Sequence, residues 1–170
     1  MEKISIIGAG GSGKSTLARE LGEKLGIEVF YLNKIWWKDK DHHISEEEFI
    51  EIQKDIIRNH DKFIFDGNYM STLDLRIQAS DTIIFLDFKT STNLTQSLKK
   101  NFTEDNADNK DPDLDHTGKI NLKYINWLIN FEKDDRKKIL CKLNEIKLEK
   151  KIIIIDNKNK KDLFLDSISI

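Results

Sequence analysis

The chain has 170 residues, with 28 Lys and Arg against 30 Asp and Glu, a net charge of −2 and a pI near 6.1. That length fits one domain with a full hydrophobic core, and the near-neutral, interspersed charge excludes the broad basic field a direct DNA binder uses. No apolar run approaches the ~18 residues of a membrane span, and the first one runs into glycines too soon for a secretory signal, so a cytoplasmic protein is expected.

The first predicted element is a strand over 3–7, an apolar run closed by glycine. Residues 8–16 then read GAGGSGKST, which contains G-x-x-x-x-G-K-[ST] as Gly8, Gly13, Lys14 and Ser15. A helix is predicted over 14–25, from the stripe of Leu17, Ala18, Leu21 and Leu25. The motif therefore sits between a strand and a helix, where its chemistry works. A helix N-terminus offers unpaired N–H groups and partial positive charge to a triphosphate tail. Gly8, Gly10, Gly11 and Gly13 let the backbone wrap that tail, with Ser12 and Thr16 completing the cradle. Lys14 reaches the β- and γ-phosphates as a point charge, and the Ser15 hydroxyl is the expected ligand of Mg²⁺. ATP and Mg²⁺ are the cofactors this reading requires.

A second strand is predicted over 27–31, followed by Asn33, Trp36 and Trp37. Aromatic rings at that place either stack on an acceptor molecule or pin the loop to the core. His42-His43 on a charged loop reads as solvated rather than metal-binding. The helix predicted over 45–59 opens with Ser45-x-x-Glu48, a capping box. A third strand over 62–66 ends in Asp66, ahead of Gly67-Asn68-Tyr69. An acid at a strand's carboxyl end can hold Mg²⁺ beside the motif serine, and Asp87, ending the fourth strand over 82–87, is the rival.

The helix predicted over 71–79 carries Arg76, placed to face the cleft, with an ion pair to Asp74 as the bland reading. Another helix is predicted over 91–101. Residues 101–118 form a long polar stretch with the only proline and are the lid candidate. Within it, Asp111-x-Asp113-x-Asp115 imitates a calcium loop but lacks its glycine and glutamate. A helical pattern over 120–149 is expected to break near Asp134-Asp135. It carries Arg136 among Lys133, Lys137 and Lys138, a second source of positive charge for a transferring phosphoryl group. Arg19 and Arg58 read as solvated. The only cysteine, Cys141 beside Leu140, reads as a buried or half-buried thiol. A fifth strand over 151–155 and a helix over 160–168 complete the chain.

Strands alternating with helices imply an α/β fold with right-handed crossovers. The expected architecture is a P-loop NTPase: a doubly wound, five-stranded parallel sheet of the nucleotide-kinase type with a lid segment, in one domain over 1–170. Residues 33–60 form the acceptor-side segment.

Three pieces, IIGAGGSGKSTLARELGEKLGI, YLNKIWWK and FIFDGNYMSTLDLRIQASDTIIFLDF, resemble the small P-loop proteins called DNA topology modulation proteins (FlaR-like), relatives of adenylate kinases. The resemblance implies phosphate and Mg²⁺ roles for Lys14 and Ser15. It also implies a cleft lined by Asp66, Asn68 and Arg76, with Asn33 and Trp37 on the acceptor side and Asn157-Lys158-Asn159 near the purine. The chain departs from the pattern at Asn33, where an aspartate usually stands. It departs again across 101–118, where six acids against Lys110 give a net charge of −5 instead of several arginines. An anionic lid repels triphosphate, by about 1 kcal/mol per close pair in water and more in a cleft. Two functions fit these expectations: an ATP-dependent phosphotransferase acting on a small-molecule acceptor, or a nucleotide-dependent regulatory protein with little kinase activity.

Overall fold

A computed structural model describes residues 1–39, 42–103 and 122–168. From residue 104 onward the lid candidate, and with it the Asp111-x-Asp113-x-Asp115 pattern, lies outside the described residues.

The elements in order are β1 (Lys3–Gly8), α1 (Lys14–Leu25), β2 (Val29–Tyr31), α2 (Leu32–Trp36), α3 (Glu46–Asn59), β3 (Phe63–Asp66), a 3-10 turn (Met70–Thr72), α4 (Leu73–Ala79), β4 (Thr82–Leu86), α5 (Thr90–Thr103), α6 (Leu122–Asn130), a π-helical segment (Phe131–Asp135), α7 (Arg136–Ile146), β5 (Lys151–Ile155) and α8 (Lys158–Asp166). The five strands form one parallel sheet in the order β2-β3-β1-β4-β5. The expected fold class is correct.

Within the apolar strands the side chains still alternate. Ile4 and Ile6 of β1, Ile64 of β3, Ile84 and Leu86 of β4 and Ile155 of β5 pack with α1 and α8 through Leu17, Leu21 and Leu165. Ile7, Ile83 and Phe85 face the other way, against α4, α6 and α7 through Leu73, Ile77, Leu128 and Ile139. Phe63 and Phe65 meet Leu32, Phe49 and Ile56 of α2 and α3. A strand covered on both faces needs apolar residues at every position, which is why these segments read as unbroken runs. Ser5 is the buried polar residue of β1, and its Oγ lies 2.8 Å from Ser80 Oγ.

One expectation about the helices is refined. The long pattern is interrupted near Asp134-Asp135 as expected, but without leaving helical backbone. The backbone stays helical from Asn130 to Arg136, and a wider π turn over Phe131–Asp135 joins α6 to α7. That turn keeps Phe131 in the core while Glu132, Lys133 and Asp134 stay exposed. The short α2, directly after β2, was not foreseen, because five residues carry too little periodicity to read. Cys141 is exposed, on the outer face of α7 with its Sγ 3.5 Å from Glu145, rather than buried. Among the described residues no helix is long and apolar enough to cross a membrane.

The parallel register brings several functional candidates to one end of the sheet. Ile6 pairs with Asp66 and Gly8 with Leu86, and Leu86 pairs with Ile155. The phosphate loop, Asp66, Asp87 and the entry to α8 all leave the sheet there, as expected at the carboxyl ends of parallel strands.

Candidate functional site

The loop between β1 and α1 is built to receive an anion. Gly13 is the N-cap of α1 in left-handed conformation and brings no side chain to cap it, and no acid stands in the first turn. The contrast with α3 is direct: there Ser45 Oγ accepts from the Glu48 amide at 3.1 Å, and Glu46, Glu47 and Glu48 fill the first turn. The amides at the start of α1 are thus left for an external acceptor. Ser15 and Thr16 are exposed there. Ser12 Oγ is buried and makes no hydrogen bond among the described residues. Lys14 Nζ donates to the Ala9 carbonyl at 2.9 Å, folding back across the loop. Donor set and cradle fit a nucleotide phosphate tail with its Mg²⁺.

Two glycines of the loop are fixed by close approach. A Cβ on Gly10 would lie 2.8 Å from Tyr124 Oη and 2.9 Å from the Trp127 ring. One on Gly11 would lie 2.2 Å from Ser97 Oγ and 2.4 Å from the Asn93 carbonyl oxygen. Ser97 and Tyr124 are themselves joined, oxygen to oxygen, at 2.7 Å. So α5 and α6, the helices that lead into and out of the lid candidate, press directly on the phosphate loop.

Asp66 is buried at the end of β3 beside β1. The chain then turns at Gly67, whose amide donates to the Ile6 carbonyl at 3.2 Å. Asn68 Oδ1 accepts from the Gly8 amide at 3.3 Å, clipping this turn to the start of the phosphate loop. Arg76 lies beneath the turn rather than in the cleft. It is 0% exposed, and its guanidinium donates to the carbonyls of Gly67 at 2.8 Å and Tyr69 at 2.7 Å. Burial lowers its pKa to about 10, while the negative charge of Asp66 works the other way, so it stays cationic at neutral pH. The expectation that Arg76 faces the acceptor is therefore corrected: its terminal nitrogens hold the Asp66–Tyr69 backbone in shape. Asp74, its supposed ion-pair partner, binds Lys142 instead.

Asp87, the rival of Asp66 for the metal, and Arg136, the candidate for the transferring group, are partners. Arg136 Nε donates to Asp87 Oδ1 at 2.6 Å and Nη2 to Oδ2 at 2.8 Å, a two-pronged pair half open to solvent. The Asp87 hydrogen bond is the main cause that raises the Arg136 pKa. Glu132 is tied to Thr90 at the start of α5. Lys133 and Lys137 are exposed.

A cavity of about 640 Å³ opens beside the loop, between Gly13 and Thr16, the α5 side with Phe88, Thr92 and Gln96, and Lys158 and Lys161 of α8. It contains one of the residues expected near the purine, Lys158, while Asn157 caps α8 by accepting from the Lys160 amide.

Across the sheet edge, residues 31–69 form an aromatic wall. Trp36 meets Phe49 at 5.1 Å and Tyr69 at 5.8 Å, Phe49 meets Tyr69 at 4.9 Å, and His43 stacks on Trp36 at 4.5 Å. Trp37 lies at the rim, edge-on to His43 and joined to it by an isolated bridge. Trp36 is the more central ring. Asn33, in α2, is half-buried and its Oδ1 accepts from the neighbouring Lys34 amide. His42 is 2.8 Å from Asp39, and among the described residues no three His, Cys, Asp or Glu gather into a metal cluster. Gln53 went unread in the sequence, where Phe49 stood only as part of the apolar stripe of the helix and Tyr69 only as part of the turn after Asp66. Gln53 could have been found as the polar residue on the buried stripe of α3, between Phe49 and Ile56.

The chain is similar in fold to two known kinases. Deoxyadenosine kinase from M. mycoides with bound dATP aligns at a TM-score of 0.56 with 19% identity, over 98% of this chain and 98% of the kinase. Shikimate kinase from Acinetobacter baumannii in complex with shikimate aligns at 0.57 with 14% identity, over 99% of this chain and 90% of that one. The architecture is that of the small P-loop kinases. No family model and no curated protein matches the chain.

Proposed function

We propose that this protein is an ATP-dependent phosphotransferase that moves a phosphoryl group to a nucleotide or another small hydroxylated acceptor. The observation that carries the reading is the uncapped, acid-free N-terminus of α1 under a glycine loop, with Lys14 beside it and Asp66 on the adjoining strand. The fold shared with small-molecule kinases supports it.

In this reading the donor's base and sugar occupy the cavity beside Gln96 and Lys158, and its phosphates lie on the α1 amides. Lys14 releases the Ala9 carbonyl and turns to the β- and γ-phosphates. Ser15 and Asp66 are the residues that would hold Mg²⁺, which when bound neutralises charge on the phosphate oxygens. Arg136 leaves Asp87 to face the charge that develops on the transferring group. Asn68 and Arg76 keep the β3–α4 turn against the loop, so donor and acceptor meet at fixed separation. Asn33 and Trp37 border the acceptor side. Little general-base chemistry is required, because positioning and electrostatics dominate such transfers.

The test is ADP release from Mg·ATP against a panel of nucleosides, nucleoside monophosphates and small hydroxylated metabolites. Acceptor-stimulated release is expected, and Lys14→Ala should lower it by about a hundredfold or more with an unchanged far-UV spectrum. A wild-type protein that binds ATP yet releases ADP with no acceptor, or a variant as active as wild type, overturns the proposal.

A further inference from the structure

The two edges of the sheet are unlike. At one, β2 is three residues long, and a very short edge strand is an ordinary guard against pairing with another chain. At the other, β5 is Lys151 followed by four isoleucines, Ile152 to Ile155. It has no proline, its register with β4 is unbroken, and its one charge stands at the first position. The Lys151 amide donates to the Asp81 carbonyl at 3.1 Å, and the Ile155 carbonyl accepts from the Asp87 amide at 2.8 Å. Alternation along the strand then turns the N–H and C=O of Ile152 and Ile154 outward, and among the described residues nothing pairs with them. The edge is apolar as well as open. Ile154 is 44% exposed, and with Ile152 it lines a groove of about 250 Å³ shared with Leu140 and Leu143 of α7 and with Lys147.

We propose that β5 is a self-association edge: a second copy of this chain pairs its own β5 there, antiparallel, and joins the two five-stranded sheets into one. The strand is complementary to itself in that direction. Centred on Ile153, the pairing sets Ile152 of one copy against Ile154 of the other, twice, and their outward N–H and C=O groups exchange hydrogen bonds. Both side chains lie on the α7 face, so isoleucine meets isoleucine across the seam and the groove of each copy continues into that of the other. The next pair outward, at both ends, is Lys150 with Asp156. Opposite charges directly across two strands stabilise the pairing, and like charges oppose it. Lys150 also donates to the Gln78 and Ser80 carbonyls, and Asp156 accepts from Lys160, so these charges serve mainly to set direction. In-register parallel pairing would place Lys150 and Lys151 beside their own counterparts, and Asp156 beside its own. A two-fold seam uses β5 of each copy and leaves only the short β2 edges, so assembly stops at two. Antiparallel pairing sends the two phosphate loops to opposite ends of the joined sheet, so association is independent of the reaction the chain performs.

Two measurements on the full chain test this. Sedimentation equilibrium gives the mass, which should approach twice 19.9 kDa as concentration rises. Ile154→Lys places a charge at the seam and should weaken the dimer about tenfold or more with an unchanged far-UV spectrum. Oxidative cross-linking in a Cys141→Ser background reads the register. Ile153 lies opposite itself in a pair without hydrogen bonds, where Cα atoms stand about 4.5 Å apart, within disulfide reach. Ile153→Cys should therefore give a disulfide-linked dimer, whereas Lys151→Cys, opposite Ile155, should not. A monomer at every concentration overturns the inference, as does a species larger than two copies. Slow hydrogen exchange at the Ile152 and Ile154 amides of such a monomer would identify another segment of the same chain as the occupant of the edge. A dimer that Ile154→Lys leaves intact, or that cross-links through Lys151→Cys rather than Ile153→Cys, uses another surface or register and also overturns it. If Ile154→Lys fails to fold, the two cysteine variants decide alone.

Discussion

Replacing Arg76 by methionine tests whether one buried cation holds the turn that joins the two halves of the site. The guanidinium makes two short charge-assisted hydrogen bonds, to the Gly67 and Tyr69 carbonyls, and bonds of that kind contribute about 1.5–3 kcal/mol each. Methionine refills much of the aliphatic volume but leaves both carbonyls unsatisfied, and it strips the nearby Asp66 of its compensating charge. The net loss should be about 3–5 kcal/mol, a large part of the total stability of a domain this size. At roughly 2–4 °C per kcal/mol, the midpoint of thermal unfolding should fall by about 10 °C. Urea titration followed by far-UV circular dichroism measures the free energy, and Arg76→Lys, which keeps the charge but not the fork, should fall between the two. ATP affinity should change little in Arg76→Lys, since the residue has no exposed surface. A loss below about 1 kcal/mol for Arg76→Met would refute the assignment of Arg76 as the support of this turn.

Two further outcomes are expected. Asp87→Asn frees Arg136 from its two-pronged pair, so ATP affinity measured by calorimetry should rise severalfold; unchanged or weaker affinity would make the pair a purely structural tie. Burial would push the Asp81 carboxyl up, but hydrogen bonds from Thr82 Oγ1 and from the Lys3 and Glu2 amides together pull it below its ordinary value of 3.8. Protonation is then harder in the folded state than in the unfolded one, so the stability Asp81 contributes is complete above about pH 4 and is lost as pH falls through the folded pKa. Asp81→Asn should be less stable than wild type at pH 7, with the gap closing towards ~pH 3; a gap constant with pH would show that the carboxylate's charge plays no part.

The fold was legible because its signals are local. Apolar runs marked all five strands, with glycine bounding the first three, and the phosphate loop was readable from nine residues, 8–16. The pairing of Asp87 with Arg136 was not, because it joins residues 49 apart in the chain and no periodicity links them. Arg76 misled for a related reason. A cation two turns beyond a strand end reads as surface, and only the packing of α4 against the sheet shows that it is buried. The aromatic wall was half legible: Trp36 and Trp37 stood out, whereas Phe49, Gln53 and Tyr69 come from α3 and the β3–α4 turn and meet only in three dimensions. The interruption expected near Asp134-Asp135 takes the form of a π turn, which lets an acidic stretch stay solvated without ending the helical course of the chain.

The placement of the indole rings has a practical consequence. The chain has three tryptophans. Trp127 lies against Gly10 in the phosphate loop, while Trp36 and Trp37 stand with His43 on the far wall. Their emission therefore reports on two separate places without any added label. A Trp127→Phe variant would respond to whatever fills the aromatic wall, and a Trp36→Phe, Trp37→Phe double variant to whatever fills the phosphate loop. The order in which the two small molecules arrive, and which of them leaves last, can be followed by stopped-flow fluorescence in the native fold.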